Sequence, residues 1–309
     1  RIQNQYHTLR YKDILKMLRL CLSLRKHSYI CMCGTGFGFS VEKEEVEKLP
    51  EIPVIKSAQG SETIPIFDSK AGWADSVKML MENLYDGQNI YFDYSQIRPE
   101  GARLRTMGGR ASGPQPLVKL HDFIRETMHN AQGRKLTTLE AHDICNQIAE
   151  IVVVGGVRRS SQISLSDLDD KDMRHAKEWP FPIKRAMANN SAIFREKPSA
   201  GEFLREWAAL ALSGTGERGI FNLDSAQKKA PSRRYAPLIQ GTNPCGEIML
   251  RDMEFCNLSE VVIRAEDDLD TLLDKVETAT WLGVIQSSFT YFPYLRETWK
   301  KNCDVEALL

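Results

Sequence analysis

The sequence has little of what would direct a protein to a membrane or to nucleic acid. It contains no run of the roughly 18 apolar residues that a membrane-spanning helix needs. Its 41 basic and 41 acidic side chains balance, so no general attraction to nucleic acid or to an anionic membrane is expected. The sequence begins without a hydrophobic signal region. We therefore expect a cytoplasmic protein with no nucleic-acid or membrane partner.

The cysteines lack the spacing of a disulfide framework. They are odd in number, and they lie at positions 21, 31, 33, 145, 245, 256 and 303. Cys245 and Cys256 are eleven residues apart, unlike the closely spaced cysteine pairs of zinc sites, so no metal site is predicted. In a chain of this size without a signal region, the thiols are expected to stay reduced.

Composition and periodicity predict an α/β protein. Hydrophobic residues make up 42% of the chain and charged residues 27%, as in soluble globular proteins. Apolar spacing and N-terminal capping signals predict helices over about 73–84, 117–129, 137–149, 200–212 and 268–288. Alternating or β-branched runs predict strands at 52–55, 89–94, 151–154 and 220–223. Strands that alternate with helices favour parallel pairing.

The most informative segment is Gly-Thr-Asn-Pro-Cys-Gly-Glu-Ile at 241–248. Its proline and glycines predict a tight, sterically open loop that presents Cys245 to a ligand. Glu247 and Asn243 can converge on the same ligand. One thiol, one carboxylate and one amide together suit substrate hydroxyl chemistry and proton transfer.

Three other interpretations of Cys245 remain open from the residues alone. An isolated cysteine in such a loop is more often inert than catalytic. A zinc site lacks the second cysteine pair and a histidine pair. A cysteine hydrolase would need a partner histidine, and none of the six histidines lies in an obvious motif. The residues therefore indicate only a redox or nucleophilic thiol.

The segment 243–248, followed by Cys256, resembles the active-site loop of the adenosylcobalamin-dependent (class II) ribonucleotide reductases. Further segments resemble that family in the same order, and they lie at 34–40, 98–114, 155–162, 189–191 and 219–222. The resemblance covers about residues 31–303. Residues 290–302 are similar to the monomeric branch that uses ribonucleoside triphosphates.

The resemblance implies a role for each residue of the loop. Cys245 would carry a thiyl radical, formed with adenosylcobalamin as cofactor, and would abstract the ribose 3′-hydrogen. Glu247 would act as general base towards the 3′-hydroxyl, and Asn243 would hold the substrate hydroxyls. Cys256 would be one half of the reducing dithiol, which thioredoxin or a similar reductant restores.

Two glycine-rich segments would bind nucleotides by the same resemblance. In the first, Arg105, Arg110 and Ser112 would bind the phosphates of a deoxynucleotide effector. The alternative is that these arginines form surface ion pairs. The second segment would connect effector and substrate through Gly155, Gly156, Arg158, Arg159 and Gln162. Its paired glycines permit alternative loop conformations.

The implied fold is part of a ten-stranded α/β barrel, mainly the first half-barrel plus the central cysteine loop. Residues 31–309 are predicted to form this partial barrel domain, after a divergent basic N-terminal segment at 1–30. The family places the cysteine that pairs with Cys256 at about residues 4–10, where this chain has none. The dithiol is therefore incomplete in this sequence.

The sequence predicts a ribonucleotide reductase that acts on ribonucleoside triphosphates under effector control. Two alternatives remain open: a nucleotide-binding fragment without catalysis, and a ribonucleoside-diphosphate reductase.

Overall fold

The structure is a computed structural model, and it describes residues 23–33, 36–56, 63–104, 109–153, 161–254, 259–289, 291 and 297–305. Helix α1 covers 23–33. The other α-helices are α2 (Lys43–Glu47), α3 (Lys70–Tyr85), α4 (Gln115–Asn130), α5 (Thr138–Val153), α6 (Lys171–Arg174), α7 (Ala200–Ser213), α8 (Leu223–Lys228), α9 (Leu269–Ser287) and α10 (Glu297–Val305). The strands are β1 (Phe37–Ser40), β2 (Ile64–Pro65), β3 (Phe92–Asp93), β4 (Gln162–Asp167), β5 (Ala188–Phe194), β6 (Gly219–Asn222), β7 (Ile239–Thr242) and β8 (Met249–Arg251).

A four-stranded parallel sheet forms the centre of the described fold. Its strand order is β1-β4-β5-β6, and every neighbouring pair is parallel. Helices lie between successive strands, so the chain returns to the same end of the sheet before each strand begins. β4 is buried along five of its six residues, because both faces of the sheet are covered. The predicted α/β architecture with parallel pairing is confirmed.

The predicted strand at 151–154 is wrong. Residues 151–153 form the last turn of α5, and Val154 lies outside the described residues. Ile144, Ile148 and Ile151 are all buried at helical spacing, so the apolar run completes one helix face. The strand begins eleven residues after Ile151 as β4, which has no simple alternation because all but its last residue are buried.

A second packed region lies between α3, α4 and α5. Their apolar faces share one core, whose fully buried members include Leu80, Leu84, Leu117, Ile124 and Ile148. The predicted strands beside it are shorter than expected. Residues 52–55 contain only an isolated bridge at Ile52, with a second bridge at the following Lys56, and 89–94 contains only the two-residue β3.

The two helix starts predicted from capping boxes are confirmed, whereas the helices predicted from 73 and 117 begin earlier, at Lys70 and Gln115. Thr137 and Glu140 exchange hydrogen bonds of 3.1 and 2.9 Å before α5, and Ser199 and Glu202 form a capping box before α7. Helix α9 is also confirmed, but the apolar face expected to pack is exposed: Leu269, Leu273 and Val276 are at least 44% exposed. Within the described residues, no helix is both long and apolar enough to cross a membrane.

The antiparallel hairpin of β7 and β8 lies directly against the parallel sheet. A Cβ atom added to Gly38 in β1 would come within 2.5 Å of the Thr242 carbonyl oxygen. A Cβ added to Gly241 would be 3.3 Å from the Leu165 Cδ1 atom of β4. The hairpin therefore approaches the main chain of β1 and a side chain of β4, and the loop 243–248 connects its two strands.

Candidate functional site

The cysteine loop is closed at its base by Asn243. The Asn243 N–H donates to the Ile248 carbonyl oxygen at 3.0 Å, and the Ile248 N–H donates to the Asn243 Oδ1 at 3.0 Å. Pro244 occupies the second position of the turn that follows, and the Gly246 N–H closes it on the Asn243 carbonyl at 3.1 Å. Gly246 has a φ of +88°, a conformation that favours glycine. The predicted tight loop is therefore present.

Cys245 and Glu247 both lie on the open side of this loop. Cys245 is a free, exposed thiol, and Glu247 is exposed as well. A Cβ added to Gly246 between them would meet no atom within 4 Å. By contrast, Cys31, Cys145 and Cys303 are buried. Burial raises the pKa of the Cys145 thiol far above its usual value, which makes it a poor nucleophile.

The two polar atoms of the Asn243 side chain differ in their hydrogen bonding. The residue is fully buried, and its Oδ1 is already used by Ile248. Its Nδ2 is buried too and has no hydrogen-bond partner among the residues that the structure describes. A buried amide donor without a partner costs free energy, so Asn243 is a candidate for an interaction that the described residues do not supply.

In the first glycine-rich segment, the side chains of Arg110 and Ser112 make few hydrogen bonds to other described residues. The Arg110 Nη1 donates to the Gly101 carbonyl oxygen at 2.9 Å, and the Ser112 hydroxyl contacts the Gly113 carbonyl at 3.3 Å. Arg110 is exposed and forms no ion pair with a described residue, unlike the surface ion pair considered as an alternative. Arg105 lies outside the described residues.

The second nucleotide segment is only partly described, and Gln162 does not belong to its loop. Gly155, Gly156, Arg158 and Arg159 lie outside the described residues. Gln162 is the first residue of β4 and is buried. Its carboxamide is used on both sides by buried neighbours, so the structure gives no support to its predicted contact with a ligand.

Gln162 instead belongs to a chain of buried polar side chains. Its Oε1 is 2.9 Å from the His27 Nε2, and its Nε2 donates to the Asn146 Oδ1 at 2.8 Å. The Asn146 Nδ2 is 2.6 Å from the His142 Nε2, and the His142 Nδ1 is 3.0 Å from the Ser164 Oγ. Burial lowers the pKa of His27 to about 4 and that of His142 to about 3, so both rings are neutral at pH 7.

Sequence reasoning missed one contact at the cysteine loop. Asn189, in the segment 189–191, donates its Nδ2 to the Pro244 carbonyl oxygen at 2.6 Å. The two residues are 55 positions apart, so only their motif membership could have signalled the contact. Cys256 lies outside the described residues. No group of three or more metal-ligating side chains occurs among the residues that the structure describes.

Fold and site together define a parallel α/β protein that presents a cysteine on a loop next to the sheet. The family model described as "B12-dependent ribonucleotide reductase, insertion domain" matches residues 53–128. The model described as "Ribonucleotide reductase, barrel domain" matches residues 157–294.

Individual relatives give the same result. The adenosylcobalamin-dependent ribonucleoside-triphosphate reductase of Lacticaseibacillus paracasei is 32% identical over 74% of this chain and 36% of its own length. That of Lactobacillus gasseri is 34% identical with the same coverage. A crystal structure of a B12-dependent (class II) ribonucleotide reductase matches with a TM-score of 0.67 and 27% identity, over 77% of this chain and 38% of the other.

The chain belongs to the adenosylcobalamin-dependent ribonucleotide reductases, and its fold is part of their α/β barrel. It spans 36% of the length of the curated relatives that it matches.

Proposed function

We propose that this chain carries the radical cysteine loop of a cytoplasmic enzyme that reduces ribonucleoside triphosphates to 2′-deoxyribonucleotides. The observation that supports it most is that one short loop holds both an exposed Cys245 thiol and a buried Asn243 amide that has no partner among the described residues. The relatives' names support the triphosphate as substrate.

The chemistry proposed for the loop is the one that the family resemblance implies, and the thiol, carboxylate and amide of the loop suit it. A thiyl radical on Cys245 takes the hydrogen atom from the ribose C3′, which leaves an S–H bond and a carbon radical. Glu247 accepts the 3′-hydroxyl proton, and Asn243 donates to a substrate hydroxyl. The dithiol that includes Cys256 gives one proton to the 2′-hydroxyl, which leaves as water. It then supplies two electrons and its second proton to C2′ as it becomes a disulfide, and Glu247 returns its proton to the 3′ oxygen. Cys245 then returns the hydrogen atom to C3′.

Adenosylcobalamin is the cofactor that this site requires. When bound, it supplies the carbon-centred radical that removes the hydrogen atom of a thiol. The open space beside Gly246 and the exposure of Cys245 fit a large group above the loop. Cys245 would be the residue of this chain that gives up its thiol hydrogen atom to that radical.

The nucleotide segments are proposed to bind a deoxynucleotide effector. The exposed Arg110 guanidinium and the Ser112 hydroxyl are suited to phosphate oxygens, and Arg105 belongs to the same segment. Gly155, Gly156, Arg158 and Arg159 are proposed to transmit effector identity to the substrate base.

The other partners are proposed on the family's chemistry. Thioredoxin or a similar dithiol protein is proposed to reduce the disulfide, and neither nucleic acid nor a membrane is proposed as a partner. The division into a basic segment at 1–30 and a catalytic domain from residue 31 stays a prediction.

The test is deoxynucleotide production by this chain completed at both ends from a relative. The relative's N-terminal segment replaces residues 1–22 and supplies the cysteine that pairs with Cys256, and its C-terminal part follows residue 309. Adenosylcobalamin, a dithiol reductant, CTP and dATP are supplied, and dCTP is measured. Cys245→Ser is expected to abolish product, because a hydroxyl O–H bond is too strong to exchange hydrogen with ribose. Cys33→Ser, which changes a partly exposed thiol outside the loop, is expected to leave product formation intact.

Product from the Cys245→Ser variant would refute the assigned radical residue. Binding of nucleotide without any product from the unmodified protein would favour the nucleotide-binding fragment instead.

A further inference from the structure

The peptide unit immediately before Cys245 is held by a residue from the sheet. The Asn189 Nδ2 donates to the Pro244 carbonyl oxygen at 2.6 Å, and this carbonyl belongs to the peptide that links Pro244 to Cys245. Within the described part of the chain, it is the hydrogen bond that connects residues 244–247 to another element. The remaining bonds of the loop, between Asn243, Gly246 and Ile248, are internal to the hairpin.

Asn189 itself is fixed by an ion pair that grips the main chain on both sides of it. The Lys177 ammonium donates to the Ala188 carbonyl oxygen, and the Glu217 carboxylate accepts from the Asn190 N–H at 2.7 Å. Lys177 and Glu217 contact each other at 2.6 Å, and their side chains are 7% and 19% exposed. Strand β6 pairs with β5 only from Ser191 onwards. The Glu217 carboxylate therefore accepts the Asn190 N–H at a position where β5 has no neighbouring β6 residue.

The alternation of β5 directs its two asparagines to opposite faces. Asn190 is buried, whereas Asn189 is exposed and lies on the face that carries the cysteine loop. β4 pairs with Asn189 through Ile163, in the centre of the sheet. A strand of the sheet therefore presents one carboxamide donor to the loop, whose other hydrogen bonds among the described residues are internal to the hairpin.

We propose that Asn189 is a positioning residue for Cys245: its carboxamide sets the plane of the Pro244–Cys245 peptide and thereby the direction of the thiol. This inference rests on the proposed function, in which Cys245 is the radical residue. Hydrogen transfer between sulfur and a ribose carbon requires close approach, and a misplacement of about 1 Å can reduce a rate about a hundredfold. The Lys177–Glu217 pair supports Asn189 in turn.

Hydrogen–deuterium exchange of this chain, followed by mass spectrometry, tests the anchor without cofactor or turnover. Asn189→Asp keeps the size of the side chain but replaces the donor by an acceptor that repels the Pro244 carbonyl. Exchange in peptides that cover 243–248 is expected to rise about fivefold, as for the loss of one hydrogen bond. Asn83→Asp is the matched control: it removes an Asn carboxamide bond of 2.8 Å to the Met79 carbonyl, far from the loop, and is expected to leave these peptides unchanged.

Asn189→Ala controls for the added charge, because it removes the donor without introducing a carboxylate. Hydrogen–deuterium exchange at 243–248 is expected to rise in this variant as well. Unchanged exchange at 243–248 in both Asn189 variants would overturn the anchor. An equal increase in α4 would also overturn it, since the residue would then support the fold rather than the loop.

Steady-state kinetics of the completed enzyme, prepared as for the Cys245 test, separate positioning from substrate contact. Asn189→Asp is expected to lower kcat by about ten- to a hundredfold with the KM for CTP unchanged. A raised KM with unchanged kcat would place Asn189 on the substrate and refute the positioning role. If the unmodified enzyme forms no dCTP, the proposed function fails, whereas the exchange experiment still decides whether Asn189 holds the loop.

Discussion

At the scale of single residues, Gly38 decides how closely the cysteine hairpin approaches the sheet. It lies in β1, where an added Cβ would come within 2.5 Å of the Thr242 carbonyl oxygen and 3.1 Å of the Ile163 Cγ2. The first of these contacts is with main chain, which cannot rotate away. Any side chain at this position must therefore displace either the hairpin or β1, and the hairpin carries Cys245.

We expect Gly38→Ala to destabilise the protein by about 1–3 kcal/mol, the usual cost of overpacking a tightly packed site. The free energy of unfolding in urea measures it. Gly201→Ala is the matched control, because a Cβ at Gly201 in α7 meets no atom within 4 Å. That control is expected to be neutral or stabilising by up to about 1 kcal/mol, since alanine favours helix. A Gly38→Ala protein as stable as the unmodified one would contradict the close contact.

The residues of the loop were largely predictable, because their effect is local. Proline, glycine and asparagine determine a turn from within eight positions of sequence, and the turn has the expected form. The hydrogen bonds of Gln162 could not be predicted in this way. Their partners are His27 and Asn146, which lie on two helices distant in sequence.

At the scale of elements, α7 is attached to the sheet by a buried ion pair. The Arg218 guanidinium donates to both carboxylate oxygens of Glu206 at 2.6 and 3.0 Å, and both side chains are at most 1% exposed. Arg174 donates to the same carboxylate at 3.0 Å. Burial would raise the pKa of Glu206, but the hydrogen bonds and charges of the two arginines lower it below its usual value.

Glu206→Gln is expected to destabilise the protein by about 3–5 kcal/mol, because it leaves a buried guanidinium without its counter-charge. Thermal and urea unfolding at pH 7 measure the effect. The control is Glu44→Gln in α2, whose exposed pair with Lys48 at 3.3 Å is worth at most about 1 kcal/mol. If the two substitutions cost the same, the Glu206 pair does not hold α7 in place.

The element that sequence patterning misjudged is the end of α5. Three consecutive valines before two glycines are typical of a buried strand, yet Ile151 and Val152 continue the apolar helix face that α5 packs into the core. Periodicity cannot distinguish a buried strand from the last turn of a buried helix when the run is so short. Packing against α4 and the sheet decides it.

At the scale of the whole molecule, three buried histidines couple stability to pH. Burial lowers the pKa of His27 to about 4, and it lowers those of His121 and His142 to about 3. In the unfolded chain each ring binds a proton near pH 6.5. The unfolded state therefore takes up more protons below that pH. The stability that depends on neutral rings is fully present above about pH 6.5 and is lost as the pH falls towards 4.

We expect the free energy of unfolding to decrease from pH 7 to pH 5, with each buried histidine contributing up to about 1.4 kcal/mol per pH unit below pH 6.5. His142→Gln is expected to reduce this slope, although it also costs stability at pH 7 through the loss of the Asn146 and Ser164 contacts. Gly201→Ala offers the control, because it changes no titratable group and its Cβ meets no atom within 4 Å, and it is expected to leave the slope unchanged. Equal slopes in the two variants would show that His142 does not titrate as described.

The sequence by itself determined the family, the parallel α/β class and the form of the Cys245 loop. The family follows from contiguous motifs, the α/β class from the periodicity of apolar residues, and the loop from turn residues that act over a few positions. The tertiary structure alone decided that Asn189 holds the Pro244 carbonyl, that Gly38 faces Thr242, and that Gln162 is an interior residue. These contacts join residues far apart in the chain, and the packing of strands and helices brings them together.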